Sequence, residues 1–239
     1  MNNTIKIEKL NVKFQNQIVL KDISFKVYAN KPLCIIGKGS SAKTTLIKSI
    51  LGLVPLESGE VIINDSSLLK KKNIFDDFGV VFQNDALFDS LTVFENIMFR
   101  KLHSNSRKDI IKECYELLKM VDLENHVANL LPYELSGGMK KRVAIARAIS
   151  IKPRFLFLDE PTAGLDPIKT NKIFQIISEF SRKTGITIVA VSSDMKGVLK
   201  YFDEILLLKD KRICWKGSTK EIKKSKNKHL QEFFKKVIA

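Results

Sequence analysis

A segment of nine residues has the composition of a phosphate-binding loop. It lies between the apolar run Leu33–Ile36 and a predicted helix that begins at Lys43. In such a place, backbone N–H groups surround phosphate oxygens, and the helix N-terminus faces their negative charge. Lys43 would bridge the β- and γ-phosphates of ATP, and the Thr44 hydroxyl would bind Mg²⁺. The residues of this predicted Walker A loop are Gly37, Lys38, Gly39, Ser40, Ser41, Ala42, Lys43, Thr44 and Thr45.

The loop departs from the usual Walker A pattern at two positions. Ala42 stands where a glycine normally precedes the lysine, and Ser40 stands at the second glycine, with Gly39 one step earlier. Glycine serves where the backbone needs a positive φ or approaches a ligand closely. A Cβ at these positions is therefore expected to strain the loop or to push the phosphates outward. Taken alone, the segment could also be an ordinary connection between a strand and a helix.

Two carboxylates, Asp159 and Glu160, follow a second apolar run, Phe155–Leu158. This is the Walker B arrangement, in which Asp159 would hold Mg²⁺ through water and Glu160 would orient or deprotonate the attacking water. The alternative is a simple turn at a strand end. It is disfavoured because the pair comes after the phosphate loop in the expected order and is followed by Pro161. We therefore expect an ATPase.

Short apolar runs predict the strands that would position these residues. Such runs are typical of parallel strands that are buried on both faces, and Leu33–Ile36 is predicted to be a central one. The other strands predicted in this way are Gly79–Phe82, Phe155–Leu158, Ile186–Val191 and Glu204–Leu208. Near the N-terminus, Ile5–Leu10 alternates apolar and charged residues, which predicts a half-buried edge strand. A further strand is predicted at Ile18–Val27.

Helical spacing replaces strand spacing between residues 86 and 150. Because Val93–Ile97, Ile110–Val121 and Met139–Ser150 share this spacing, we expect a helical subdomain inserted into a strand-rich core. Two more helices are predicted, one after Pro167 and one in the basic tail. Their ranges are Ile168–Phe180 and Glu221–Val237, the second with Leu230, Phe233 and Phe234 near one face.

Length and composition limit the class of protein. The chain has 239 residues, of which 44% are hydrophobic and 28% charged. These values fit one large α/β domain and exclude a largely disordered or collagen-like chain. No apolar run reaches the roughly 18 residues that cross a bilayer, no signal peptide is evident, and Cys34, Cys114 and Cys214 have no metal or disulfide spacing. We expect a soluble protein of the reducing cytoplasm.

The net charge of +15 is the one unusual feature of the composition. Such charge is typical of proteins that bind nucleic acid or an anionic membrane surface. We favour a general enrichment in lysine as the explanation, because it spreads the charge over the whole surface and the basic residues fall in many short patches. Only the tail from Lys216 to Lys236 concentrates basic residues.

Ser136, Gly137 and Gly138 precede a predicted helix. A serine N-cap followed by two glycines leaves N–H groups directed at an anion. Together with Lys140–Ala148, this segment closely resembles the signature of the ATP-binding cassette (ABC) ATPases. The resemblance covers nearly the whole chain, because other motifs of the family follow in the same order.

The resemblance implies roles for further residues. Gln83 matches the Q-loop, with a catalytic role and a contact to Mg²⁺, and Asp166 matches the D-loop. Phe14 lies where the family places an aromatic ring against adenine, although burial in the core is the alternative. Ser193 stands where the family carries a histidine that contacts the γ-phosphate. Serine is shorter and uncharged, so we expect slow turnover at this candidate catalytic position. A clamp that binds ATP with little turnover is the alternative.

The resemblance also implies a fold and an assembly. The fold is α/β: a P-loop NTPase (RecA-like) core with a parallel sheet, an antiparallel β part and an inserted α-helical signature subdomain. Residues 1–239 would form one nucleotide-binding domain, with the core at 1–85 and 151–215, the helical subdomain at 86–150 and a basic helical tail at 216–239. Two copies would enclose two ATP molecules, each between one Walker A loop and the partner's signature segment. A membrane permease would dock beside Gln83, at the cytoplasmic face of the inner membrane.

Two segments are similar to one group within the family. Phe82–Ile97 and Glu134–Arg142, with Met139 where most importers carry glutamine, resemble the Mla (MlaF-like) phospholipid-transport ATPases. This resemblance implies transport of phospholipids between inner and outer membranes, with an MlaE-like permease and an MCE-type lipid-binding protein as partners. A soluble ABC ATPase associated with nucleic acid is an alternative that the charge suggests, but we expect no nucleic-acid partner.

Overall fold

A mostly parallel sheet of six strands forms the centre of the protein. The computed structural model describes residues 3–39, 41–68, 74–102 and 106–238. The strands of this sheet are β3 (Leu33–Ile36), β6 (Phe78–Val81), β7 (Phe155–Asp159), β8 (Thr187–Val191), β9 (Glu204–Lys209) and β10 (Arg212–Ser218). Their spatial order is β10-β9-β3-β8-β7-β6, with β10 alone antiparallel to its neighbour. Every residue of β3, β7 and β8 is buried, which confirms the strands predicted from the apolar runs.

A second, antiparallel sheet is built from four strands in the first third of the chain. They are β1 (Ile5–Phe14), β2 (Gln17–Val27), β4 (Ser58–Ile63) and β5 (Ser66–Ser67), in the order β2-β1-β4-β5. β1 pairs with β2 on one side and with β4 on the other. The prediction of an edge strand at Ile5–Leu10 is therefore wrong. Alternation reports that one face of a strand is buried but carries no information about whether both of its edges are paired.

In the part of the chain that the structure describes, seven α-helices surround the sheets. They are α1 (Lys43–Ile50), α2 (Val93–Met98), α3 (Arg107–Met120), α4 (Gly137–Ser150), α5 (Pro167–Thr184), α6 (Met195–Tyr201) and α7 (Lys228–Ile238). Short 3₁₀ helices occupy Ile74–Asp77, Phe99–Lys101, Asn125–Asn129, Pro132–Glu134 and Thr219–Lys224. Helices α2, α3 and α4 contribute to one apolar cluster, as their helical spacing predicts. Among the described residues, no helix combines the length and the apolar character that crossing a membrane requires.

Strand β3 divides two hydrophobic cores. Leu33 and Ile35 belong to the core shared with the antiparallel sheet and α1, whereas Cys34 and Ile36 belong to the core shared with α2–α5. Successive side chains of a strand point to opposite faces, so this short strand is held from both sides. The loop that follows it is thereby fixed at the carboxyl edge of the sheet.

The C-terminal tail differs from its prediction in two respects. Lys216–Ser218 belongs to strand β10, so the helical tail does not begin at residue 216. The predicted helix Glu221–Val237 is also interrupted, because the Asn227 side chain accepts a hydrogen bond from the Leu230 amide (3.0 Å) and starts a new helix there. Leu230 and Phe234 are fully buried in the α2–α5 core, which identifies the apolar face of α7 as ordinary packing.

Candidate nucleotide-binding site

The predicted phosphate loop connects β3 to α1 at the carboxyl edge of the parallel sheet. Ala42 is the N-cap of α1, with φ 63° and ψ 28°, and its side chain makes no capping hydrogen bond. This left-handed backbone is the conformation that glycine adopts without cost, so alanine at this position is strained. Ser40 lies outside the described residues, and its effect on the loop stays a prediction. The first turn of α1 carries no acidic residue, which leaves its positive end available to an anion.

The Lys43 ammonium is held inside the loop. It donates hydrogen bonds to the backbone oxygens of Gly37 (3.0 Å) and Lys38 (3.1 Å), and only 7% of the residue is exposed. The hydroxyl of Ser41 is buried and has no hydrogen-bond partner among the described residues. A buried unpaired donor beside a buried cation is uncommon, and it fits a loop that is built to receive phosphate oxygens.

Gly37 and Gly39 differ in what surrounds them. A Cβ added at Gly37 would lie 2.5 Å from the carbonyl oxygen of Leu208 and would also collide with the Ser41 hydroxyl. A Cβ at Gly39 would meet no atom within 4 Å. The glycine at position 37 is therefore required by the close approach of β9, whereas the space beside Gly39 is open.

A hydroxyl and a carboxylate that suit Mg²⁺ are already in contact. The Thr44 hydroxyl donates to Asp159 Oδ1 at 3.1 Å, which joins the first turn of α1 to the end of β7. Burial raises the pKa of Asp159 above its ordinary range, and the hydrogen bond from Thr44 opposes that shift. Both groups are hard oxygen ligands of the kind Mg²⁺ prefers. Within the described ranges no group of three or more His, Cys, Asp and Glu side chains could hold a metal ion.

Glu160 is oriented by a contact that the sequence did not suggest. The backbone amide and the hydroxyl of Ser193 both donate to Glu160 Oε2, each at 3.0 Å. The Glu160 backbone has φ 49°, and its amide donates to the Val191 carbonyl (3.0 Å). Ser193 thus faces the candidate catalytic carboxylate. The only sequence signal for this contact is that Ser193 stands where the family carries a histidine.

One cleft of about 560 Å³ brings half of the predicted site residues together. Among the predicted residues it is lined by Phe14, Gly39, Ala42, Lys43, Thr44, Thr45, Gln83, Glu160 and Ser193. Val19, Ala163 and Val191 also line it and were not predicted. Phe14 is 45% exposed, so the alternative of a buried core residue is wrong. Lys38 and Ser41 instead line a neighbouring cavity of about 530 Å³.

The signature residues and the D-loop aspartate lie elsewhere on the chain. Ser136 is the N-cap of α4 and accepts from the Met139 amide at 3.3 Å, as predicted, and the space beside Gly137 is open. Asp166 is the N-cap of α5, and hydrogen bonds from the side chain and amide of Lys169 lower its pKa. None of Ser136, Gly137, Gly138 and Asp166 is among the described residues that line the cleft.

Comparison with known proteins decides the family. The sequence profile described as "ABC transporter" matches residues 20–163, which is more than half of the chain. This chain belongs to the ABC transporter family. The ABC chain is 36% identical over 231 residues to the phosphate import ATP-binding protein PstB of Aeropyrum pernix, covering 91% of each. It is 35% identical over 222 residues to the spermidine/putrescine import ATP-binding protein PotA of Thermotoga maritima. That match covers 92% of this chain but only 60% of PotA.

A solved structure supports the same conclusion. The ABC chain superimposes on a dimeric ATP-binding cassette in a post-hydrolysis state bound to ADP and Pi, with a TM-score of 0.81 and 30% identity. The match covers 90% of this chain and 98% of that one. The α/β P-loop fold with its parallel and antiparallel sheets is therefore confirmed, as is the use of ATP with Mg²⁺. The protein is an ATP-binding subunit of an ABC transporter, in a family whose ATP hydrolysis is coupled to transport. The Mla group stays a prediction.

Proposed function

We propose that this subunit hydrolyses ATP with Glu160 as the catalytic carboxylate and Ser193 as the residue that orients it. The observation that carries the proposal is the cleft that Lys43, Thr44 and Glu160 line together, with Asp159 hydrogen-bonded to Thr44 behind it. In this cleft Lys43 and the loop amides bind the phosphates, and Phe14 stacks on the adenine. Thr44, Asp159 and Gln83 would hold Mg²⁺, which would supply Lewis-acid stabilisation of the phosphates. The Glu160 carboxylate then takes the proton of the attacking water.

We propose further that two identical chains form each complete site. Ser136, Gly137 and Gly138 stand at the start of α4, where the first N–H groups of a helix have no intrahelical partner, but they do not line the cleft of their own chain. A second copy supplies them, and Asp166 contacts that copy. The dimeric state of the solved relative supports this arrangement. A membrane permease docks in the groove beside Gln83, which places the subunit peripherally at the cytoplasmic face of the inner membrane.

Turnover is proposed to be slow for two structural reasons. Ala42 keeps a strained left-handed backbone beside Lys43, and one oxygen of Glu160 already accepts two hydrogen bonds. Ser193 also replaces the histidine that contacts the γ-phosphate in the family. Losing one phosphate-contacting group costs on the order of 10²–10³ in rate. Because this oxygen of Glu160 accepts two hydrogen bonds from Ser193, a second candidate is also favoured. In that candidate the cassette holds ATP as a clamp and scarcely hydrolyses it.

Steady-state ATP turnover of three proteins distinguishes these candidates. Wild type is expected to hydrolyse ATP below the common range of roughly 1–10 per second, Glu160→Gln to be inactive, and Ser193→His to gain activity. If neither wild type nor Glu160→Gln hydrolyses ATP while both still bind it, the result would establish the clamp. Turnover of Glu160→Gln at the wild-type rate would refute Glu160 as the catalytic carboxylate.

The identity of the transported substrate and the division of the chain into subdomains are also proposals. The similarity of Phe82–Ile97 and Glu134–Arg142 to the Mla group supports phospholipid, with MlaE-like and MCE-type partners. The import functions named for PstB and PotA support a small solute as the second candidate. Purification of the native complex and identification of its permease tests both, because an MCE-type partner supports phospholipid and a solute-binding protein contradicts it. The helical unit at residues 86–150 is proposed from the helical spacing of α2, α3 and α4, which pack in the apolar cluster that also contains residues of β3 and of α5–α7.

A further inference from the structure

A second cavity, of about 530 Å³, lies beside the phosphate loop. Its walls come from three segments: the loop itself through Lys38 and Ser41, the hairpin that joins β9 to β10, and the first two turns of α7. Among the described residues, none lines both this cavity and the nucleotide cleft. Its volume is in the range of small-molecule sites. The proposed ATPase reaction uses no side chain of the hairpin or of α7, so it does not account for this cavity.

Three ammonium groups on the cavity have no carboxylate partner. They belong to Lys38, Lys209 and Lys211, and none of the three forms an ion pair within the described part of the chain. The Lys209 ammonium instead lies 2.7 Å from His229 Nδ1. Because an ammonium group cannot accept a hydrogen bond, Lys209 donates to a neutral imidazole nitrogen. This contact leaves the positive charge of Lys209 without a neutralising partner.

The carboxylates on the cavity are fewer than the ammonium groups. Asp210 and Glu232 also line it. The Glu232 side chain is 76% exposed and lies 4.0 Å from His229 Nδ1. Three ammonium groups against two carboxylates leave the cavity cationic, so its charge favours an anionic ligand.

Lys211 has a backbone conformation in which glycine would be favoured. β9 ends at Lys209 and β10 begins at Arg212, so Asp210 and Lys211 form a two-residue hairpin loop, with φ of 49° and 68°. Loops of this type prefer Asn or Asp at the first position and glycine at the second. Asp210 fits this preference, whereas a lysine with a left-handed backbone costs stability. Such a cost is typical of positions where the side chain has a function, and the Lys211 side chain lines the cavity.

We infer that this cavity binds the phosphate group of a small organic phosphate. The ammonium groups of Lys38, Lys209 and Lys211 supply charge-assisted hydrogen bonds to the phosphate oxygens. Phe233, which is half-buried and lines the same cavity, contacts the organic part of the ligand. The ligand is therefore distinct from the ATP that the neighbouring cleft holds.

Binding is measured with Mg²⁺-ADP filling the nucleotide cleft, so that the cleft cannot take up the probe. The probe is phenyl phosphate, whose ring tests the contact with Phe233, and inorganic phosphate is titrated for comparison. Shifts of the backbone ¹H–¹⁵N resonances of residues 229–233 give the Kd. Lys209→Gln and Lys211→Gly each remove one ammonium group from the cavity. The matched control is Lys183→Gln, because Lys183 is an exposed lysine in the last turn of α5.

We expect phenyl phosphate to bind the wild-type protein with a Kd of about 1 mM or below, and inorganic phosphate to bind at least threefold more weakly. Lys209→Gln and Lys211→Gly are expected to raise the Kd at least fivefold, and Lys183→Gln to change it less than twofold. Lys211→Gly is expected to keep or raise the Tm, because glycine relieves the left-handed backbone, so its weaker binding does not come from unfolding.

Three results would overturn the inference. The first is the absence of a saturable shift up to about 10 mM phenyl phosphate. The second is an unchanged Kd in both lysine variants, which would place the probe elsewhere on the surface. The third is equal affinity for the two probes, which would exclude a contact with the organic part of the ligand. Because ATP turnover is not measured, each of these results leaves the ATPase proposal standing.

Discussion

Replacement of Ala42 by glycine tests the strain in the phosphate loop. A residue with a Cβ in the left-handed region costs roughly 1–2 kcal/mol, and Ala42 is in that region, with φ 63° and ψ 28°. Glycine removes this cost but adds about 0.4–1 kcal/mol of conformational entropy to the unfolded chain. The difference predicts that Ala42→Gly raises the free energy of unfolding by roughly 0.5–1 kcal/mol.

Urea unfolding at 25 °C, with the slope m compared between variants, measures this change. The matched control is Ala29→Gly, because Ala29 does not have a positive φ and the same chemical change there affects only the unfolded chain. We expect the control to lose about 0.4–1 kcal/mol. If Ala42→Gly is destabilised as much as Ala29→Gly, the loop is not strained at this position. One of the two structural reasons proposed for slow turnover would then be removed.

Two further predictions concern stability. The amide and hydroxyl of Thr92 donate to Glu95 and lower the pKa of that carboxyl. The contribution of these hydrogen bonds to the free energy of unfolding is therefore complete above the ordinary pKa of Glu95 and is lost as the pH falls through its lowered pKa. Urea unfolding of wild type is therefore expected to lose stability between about pH 5 and pH 3 more steeply than that of Glu95→Gln, and parallel curves would contradict this. Gly37→Ala is expected to destabilise the protein by about 1–3 kcal/mol, because its Cβ meets the Leu208 carbonyl at 2.5 Å. Gly39→Ala has open space and is expected to change stability by less than about 0.5 kcal/mol; equal thermal shifts for the two variants would refute this.

Local sequence patterns were sufficient for the elements that position the site. Four consecutive apolar residues before Gly37 predicted a buried strand, and β3 has that position in the sheet. The missing glycine before Lys43 predicted strain, and Ala42 has the backbone that glycine favours. In both cases the relevant physics acts within a few residues of the chain.

Contacts between distant segments were not accessible in this way. Ser193 and Glu160 are separated by 33 residues, and Lys141 and Asp85 by 56. Both pairs form only because the sheet and α4 bring their segments together. The same limit explains the wrong edge assignment of Ile5–Leu10, whose second neighbour β4 comes from a later part of the chain. The break before α7 depends on one side-chain cap at Asn227, which helical periodicity does not detect.

The position of β3 in the sheet has a consequence for synthesis of the chain. β3 ends at Ile36, yet both of its partners, β8 and β9, lie between Thr187 and Lys209. At about 5–20 residues per second, a nascent β3 waits on the order of ten seconds for these partners. During that interval its apolar faces have no sheet to join, while the helices between Val93 and Ser150 can already form local contacts. The strand that precedes the phosphate loop is therefore paired on both sides only after Lys209 has been synthesised, and acquisition of ATP affinity reports that β8 and β9 have been incorporated.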